Sequence, residues 1–276
     1  KLSLRLRELG GLVRIAGDLA AEDKAALTRS EHVTRARMIA KPLEQQVADR
    51  YLERQSEYAM LVNRGERIGR VNGLAVLGAD TGLSDYSGVV LPVEAMVTPA
   101  HGRSGKVIAT GGLSDLAQES VTNISAVVKK LTGKDIQDYD LHVQFPGTHN
   151  VDGDSASITM ATAIISAFEG IPIEQNLAMT GSLTVRGEVL PIGGVSAKIE
   201  AAVKSGIEKV IIPRSNLQDV LIDEKYEAKV EILPVDSLDE VLQHALVGAE
   251  DKVSIVERLA SVIDTFSGGP DSQPSA

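Results

Sequence analysis

No cysteine occurs in the 276 residues. Disulfides, thiol nucleophiles and cysteine-ligated metals are thereby excluded, and a reducing compartment fits. Long apolar runs are missing as well: none approaches the roughly 18 residues of a membrane span, and the first residues carry no signal-peptide pattern. Positive charge is scarce, with 28 Lys and Arg against 38 Asp and Glu and a net charge of −10. That balance speaks against a general nucleic-acid binder. The five histidines show no H-E-x-x-H or related spacing, so no catalytic metal is expected. A phosphate-cradling G-x-x-x-x-G-K-[ST] loop is lacking too. Its nearest approach, Gly102-Arg103-Ser104-Gly105-Lys106-Val107, has neither the spacing nor the final hydroxyl, and strand-like runs at 89–98 and 107–110 make it a hairpin turn instead. ATP binding of the Walker kind is therefore not expected. With 43% hydrophobic and 24% charged residues, the chain can bury a core as one large domain or two smaller ones.

Against these absences stands one stretch, residues 152–198, that holds two groups able to work together. It opens with Asp152-Gly153-Asp154-Ser155-Ala156-Ser157, ahead of a helix expected over 155–169 and ended by Gly170 and Pro172. At helical spacing Ser155, Thr159, Thr162 and Ser166 form one stripe of hydroxyls, opposite Met160, Ala161, Ala163, Ile164, Ala167 and Phe168. So uncharged a stripe suits a face packed on other protein or lining a cleft. A serine at the helix start lies among outward-pointing amides that stabilise an oxyanion. The alternative is that Asp152, Asp154 or Ser155 caps the helix.

The second group is Lys198, on a helix expected over 195–205 between Gly193-Gly194 and Gly206. Val195, Ile199, Ala202 and Val203 make the apolar face, Glu200 and Lys204 point away from it, and Lys198 sits at the border beside Ala201 and Ala202. A serine hydroxyl needs a base within hydrogen-bond reach, and a lysine serves only where burial favours its neutral amine. The alternative is a lysine that lays its stem on the core and keeps its ammonium in water.

Taken together, the serine segment, the run Gly187-Glu188-Val189-Leu190-Pro191-Ile192-Gly193-Gly194-Val195-Ser196-Ala197-Lys198 and the 43-residue separation of Ser155 from Lys198 resemble the proteolytic domain of Lon proteases. Asp-Ser-Ala-Ser at residues 154–157 is more similar to the archaeal membrane-associated branch than to relatives with Pro-Ser-Ala-Gly. The resemblance covers about residues 60–250. It implies an α+β fold of mixed sheets with packed helices, preceded by a small helical segment. Residues 1–58 would be the C-terminal part of an AAA+ helical lid, 59–266 the proteolytic domain and 267–276 a disordered tail.

The family implies a serine endopeptidase with Ser155 as nucleophile and Lys198 as base, supported by Asp152, Thr180 and Asp154. In that scheme Asp152 lies near the dyad, Thr180 bonds the lysine, and main-chain amides near Asp154 and Ser155 hold the oxyanion. Peptide hydrolysis needs no cofactor; ATP and Mg belong only to a full-length protein with an ATPase module. The implied partners are unfolded proteins or peptides and further copies in a homo-hexamer, with no specific nucleic acid. The implied location is cytoplasmic, at a membrane face only through segments outside this chain. A competing reading is a Lon-like, non-catalytic binding or assembly module. It predicts a missing serine or lysine and a basic surface, whereas this chain holds both residues and is acidic.

The rest of the sequence supplies the scaffold. Residues 1–56 read as helices, with apolar positions at Leu2, Leu4, Leu6, Leu9, Leu12, Val13 and Ala16, a cap near Ser30, and a break at Pro42 before a charged helix over 43–58. A strand pair turning at Asn72-Gly73 is expected over 67–77, then a strand at 89–98 and an amphipathic helix at 114–132. A strand at 141–145 delivers the chain to a loop before Ser155, and a hairpin around Arg186-Gly187-Glu188 occupies 177–192. Strands follow at 210–213 and 230–235, and helices at 238–246 and 253–266. Glu94 stands where Lon proteases also carry a glutamate, with no role derivable from the sequence, and His142 and His149 read as surface or loop histidines.

Overall fold

The computed structural model describes residues 6–40, 50, 61–77, 87–101, 105–110, 124–129, 136–146 and 154–248. Expectations for 43–58 apart from residue 50, most of 78–88, 147–153, 253–266 and 268–276 lie outside them, as does most of the helix expected over 114–132. At its described part, 124–129, that helix buries Ile124, Val127 and Val128 as the pattern requires.

Alternation along β3 (Ser87–Pro99) sets the architecture, because successive side chains of a strand leave on opposite faces. Val89, Leu91 and Val93 enter one apolar cluster, while Val90 enters another. A strand apolar on both faces must be covered on both, and it is. On one side lie α3 (Ser157–Glu169) and α5 (Leu238–Ala245), with Ile158, Ile164, Val241 and Leu242 packed against the sheet. On the other lies α4 (Val195–Lys204), seated through Val195, Ile199 and Ala202. The sheet between them is seven-stranded in the order β11-β10-β7-β2-β3-β5-β4. Its further strands are β2 (Arg70–Leu77), β4 (Val107–Thr110), β5 (Tyr139–Gln144), β7 (Leu177–Met179), β10 (Lys209–Pro213) and β11 (Glu231–Val235). Among the described strands only β3 runs against the rest: its pairings with β2 and β5 are antiparallel and the others in the sheet are parallel.

Two-stranded pieces complete the framework: β1 (Glu66–Arg67) with β6 (Ile173–Glu174), and the hairpin of β8 (Ser182–Leu183) and β9 (Val189–Leu190). A helical pair precedes the sheet, α1 (Leu6–Glu22) and α2 (Ser30–Ile39), joined through Ala16, Leu19 and Ala36. No helix among the described residues is long and apolar enough to cross a membrane.

Three local expectations are overturned. Asn72-Gly73 makes no turn: both residues lie inside β2, paired with Pro92 and Leu91 of β3. Their turn-like character answers other needs. Gly73 lies where an added Cβ would come within 3.2 Å of Thr159 Cγ2, so glycine lets α3 approach the strand closely. Asn72 is buried, and its Nδ2 donates to the carbonyls of Val62 and Gln175 at 2.9 Å each. Nor do β3 and β4 pair as the hairpin expected on either side of 102–105, because β5 lies between them. Finally, α2 is not capped by Ser30, its first residue; the preceding Arg29 N–H donates to His32 Nδ1 at 2.9 Å.

Asn72 works with Gln175, whose Nε2 donates to the carbonyls of Arg70 and Ile173. These two amides fasten the incoming segment 61–63 to β2, β6 and β7. The same segment reaches α4, where Asn63 Nδ2 donates to the Ser205 carbonyl at 2.9 Å, just past the end of the helix. Replacing Asn72 by Ala strands buried carbonyls and opens a small void. It is expected to cost about 2–4 kcal/mol, measured as a lower urea midpoint at unchanged m; a loss under about 1 kcal/mol would contradict this account.

Candidate active site

The helix that follows Ser155 begins later than its pattern suggests. Ala156 is the residue before the first turn and α3 starts at Ser157, whose amide donates to the Asp154 carbonyl at 2.9 Å and whose hydroxyl bonds the same oxygen. Ser155 therefore stands in the turn ahead of the helix and does not cap it. Asp154 does not cap it either, since its carboxylate accepts a hydrogen bond from the Ser182 hydroxyl. The main chain of Ser155 is held from across the site: its carbonyl accepts from the Gly181 amide at 2.8 Å and from the Thr180 hydroxyl at 3.2 Å.

Lys198 leaves α4 toward the sheet and is only 1% exposed. The border position read from the helical pattern is thus an interior one, and a stem-on-core lysine with its ammonium in water is ruled out. Its Nζ donates to Thr180 Oγ1 at 3.1 Å. Thr180 is itself buried, and its amide is fixed by the Ile211 carbonyl at 3.1 Å. A threonine hydroxyl has one proton. Spent on the Ser155 carbonyl, it leaves the oxygen lone pairs to receive the lysine N–H.

These contacts explain how groups from opposite faces of the sheet meet. Ser155 precedes a helix on one face, Lys198 rides a helix on the other, and Thr180-Gly181 lies just beyond the carboxyl end of β7 and touches both. Burial away from water pushes the Lys198 ammonium down from the usual 10.5 to about 8, and the negative charge of Asp154 offsets part of that fall. A group titrating there is an amine that can be neutral in mildly basic solution, next to the main chain of a serine.

Of the residues singled out in the sequence, Ser155, Lys198, Thr180 and Asp154 come together, while Asp152 lies outside the described residues. His142 sits elsewhere, on β5, in a groove of about 530 Å³ that it lines with Arg70, Glu94, Met96 and Gln144. Glu94 gains a partner there: Arg70 Nη1 donates to its Oε1 at 2.7 Å from the facing position of β2. None of the four clustered residues lines this groove. Sequence reasoning missed Ser182, which orients Asp154. Its signal was slight, a serine two residues past Thr180 at the start of the expected hairpin.

A family model described as the Lon protease (S16) C-terminal proteolytic domain matches residues 44–248. The chain is 53% identical over 266 residues to the archaeal Lon protease of Thermoplasma acidophilum, an alignment that covers 96% of this chain and 40% of that protein. It is 52% identical over 259 residues to the archaeal Lon protease of Archaeoglobus fulgidus, covering 93% and 41%. The chain thus spans about two fifths of the length of these relatives.

The buried amine has a consequence for stability. Below pH 8 Lys198 is protonated in folded and unfolded chains alike, and the fold bears the cost of desolvating that charge. Between pH 8 and 10.5 only the unfolded chain keeps the proton, so stability rises with pH, by about 3 kcal/mol in all. Lys198→Met carries no titrating group. It is expected to be more stable than the parent at pH 7, with the margin shrinking between pH 8 and 10.5; urea unfolding at pH 7 and at pH 10.5 checks this, and a margin independent of pH would contradict it.

Proposed function

The chain belongs to the Lon protease (S16) C-terminal proteolytic domain family, and from that premise we propose that it is a serine endopeptidase with Ser155 as nucleophile and Lys198 as general base. The observation that carries this reading is a lysine with no access to water, whose amine bonds the hydroxyl that fixes the serine's own carbonyl. A histidine base would need an acid to orient it. Here burial supplies the neutral base, and Thr180 supplies the orientation.

In the first step the neutral Lys198 amine takes the proton of the Ser155 hydroxyl as its oxygen attacks the peptide carbonyl carbon. The tetrahedral oxyanion is met by main-chain amides near Asp154 and Ser155, since those of Ser157 and Ile158 already serve the carbonyls of Asp154 and Gly181. The new ammonium is steadied by the Asp154 carboxylate, whose charge raises the lysine's proton affinity. It then gives its proton to the departing amine as the C–N bond breaks. Water, deprotonated by the same lysine, attacks the acyl-serine; collapse returns the proton to Ser155 and releases the acid. The resemblance keeps Asp152 as a further support of the dyad.

In a longer polypeptide this activity would serve the degradation of unfolded or misfolded proteins. ATP and Mg would act at a separate ATPase module, six copies would enclose the sites, and α1–α2 would close the module's helical lid. Hydrolysis of the peptide bond itself requires no cofactor, and the location we assign is cytoplasmic.

Cleavage of a fluorogenic peptide tests the assignment. Ser155→Ala and Lys198→Ala are each expected to lower turnover by more than about a thousandfold; substantial turnover in either would refute the dyad. In the parent, kcat/KM should climb with pH to a half-maximum near 8, because only the unprotonated amine is competent. Thr180→Val should cut activity by about 10–100-fold, with Thr180→Ser restoring most of it. Equal losses in the two Thr180 variants would show that the hydroxyl plays no part.

A further inference from the structure

At one point the sheet and α4 meet through main chain alone. A Cβ built on Gly88 of β3 would lie 2.0 Å from the carbonyl oxygen of Ala197, 2.5 Å from its carbonyl carbon and 2.9 Å from the amide nitrogen of Lys198. All three are backbone atoms of α4, and Lys198 N is tied into its helix by the Gly194 carbonyl at 3.1 Å. None can swing aside as the tip of a long side chain would. Two residues further along the strand, on the same face, Val90 packs into the cluster formed by Val195, Ile199 and Ala202. Gly88 and Val90 together therefore form the bed on which the helix rests, with Gly88 directly beneath Lys198.

We propose that Gly88 is a positioning residue for Lys198: by having no side chain it lets α4 settle low enough on β3 for the lysine amine to reach Thr180 and leave water. This rests on the reading of Lys198 as the general base. Carbon and oxygen atoms in ordinary contact stand roughly 3.5 Å apart, so any side chain at position 88 forces the helix outward by roughly 1.5 Å. The lysine bond to Thr180 spans 3.1 Å and tolerates a few tenths of an ångström at most. A helix lifted that far parts the amine from its partner and opens a path for water to its nitrogen. Water at the nitrogen returns the side chain toward an ordinary, protonated lysine, and the parted bond leaves it without its orientation. Gly73 provides the contrast, because the Cβ it lacks would crowd Thr159 of α3 on the opposite face of the sheet.

The test is the pH dependence of kcat/KM toward a fluorogenic peptide for the parent, Gly88→Ala, Val90→Leu, Gly73→Ala and Lys198→Ala. Gly88→Ala is expected to move the basic-limb midpoint upward by at least about one pH unit. It should lose about tenfold or more at pH 7, with much of the loss recovered above the new midpoint. Val90→Leu pushes the same helix with one extra methylene; it should shift the midpoint in the same direction by less, and it carries the test if Gly88→Ala does not fold. Gly73→Ala should leave the midpoint in place. A parent-like midpoint in folded Gly88→Ala, or in Val90→Leu where that variant must stand in, overturns the proposal, as does an equal shift in Gly73→Ala. If Lys198→Ala is inactive while the midpoint stays put, only the positioning role fails. If Lys198→Ala turns over normally, the base assignment fails and takes this inference with it.

Discussion

The withdrawal of one amine from water is the interaction on which the rest of the structure depends. A lysine ammonium is strongly hydrated, and seating it under a helix at 1% exposure is unfavourable unless neutrality or a partner compensates. The structure offers both in measured amounts. Thr180 gives one hydrogen bond and Asp154 a negative charge, and neither restores what water would supply. A carboxylate paired directly with the amine would make the site more stable and hold the proton on the lysine. Folded proteins have only about 5–15 kcal/mol of net stability, so a strained group of this size is tolerated because the cores on both sides of the sheet are well filled.

The topology shows how such a group can be built. With β3 reversed among otherwise parallel neighbours, the sheet carries helices on both faces, and the parallel run β11-β10-β7-β2 brings several carboxyl ends to one edge. Crevices beyond the carboxyl ends of parallel strands are the usual place for sites in such sheets. Here the chain leaving β7 supplies Thr180 and Gly181, whose hydroxyl and amide both hold Ser155. The backbone of Ser155 is therefore fixed by the residue that receives the Lys198 amine. Two helices that share no face are aligned through one threonine.

Much of this was legible in the sequence wherever period and punctuation agreed. The helices ending at Gly170 and Gly206, the hairpin turning through Gly187 and the strands at β3, β5, β10 and β11 follow from spacing and turn residues. Asn72-Gly73 misled because the same two residue types satisfy two requirements: a tight turn, or a buried amide beside a close approach of backbone and helix. Long-range pairing, which local pattern does not encode, placed β5 between β3 and β4. In the site, helical spacing set Lys198 at a border, but only the depth of α4 on the sheet decided whether that border was wet. Ser155 fell outside its helix because Ser157, two residues on, made the competing bond to Asp154. Thr180 entered through resemblance alone; a threonine between a strand and a glycine carries no mark of what it will touch.

The division of the site between two faces of one sheet also orders events in time. During synthesis the serine emerges from the ribosome 43 residues before the lysine, and the amine has its dry seat only with α4 closed over β3. With α4 undocked, the lysine is a hydrated cation and the serine an idle alcohol. With Ser155 and Lys198 in the roles proposed above, a chain still folding would be unable to cut itself or its neighbours, and competence would arrive together with the protection that a finished fold gives against being cut.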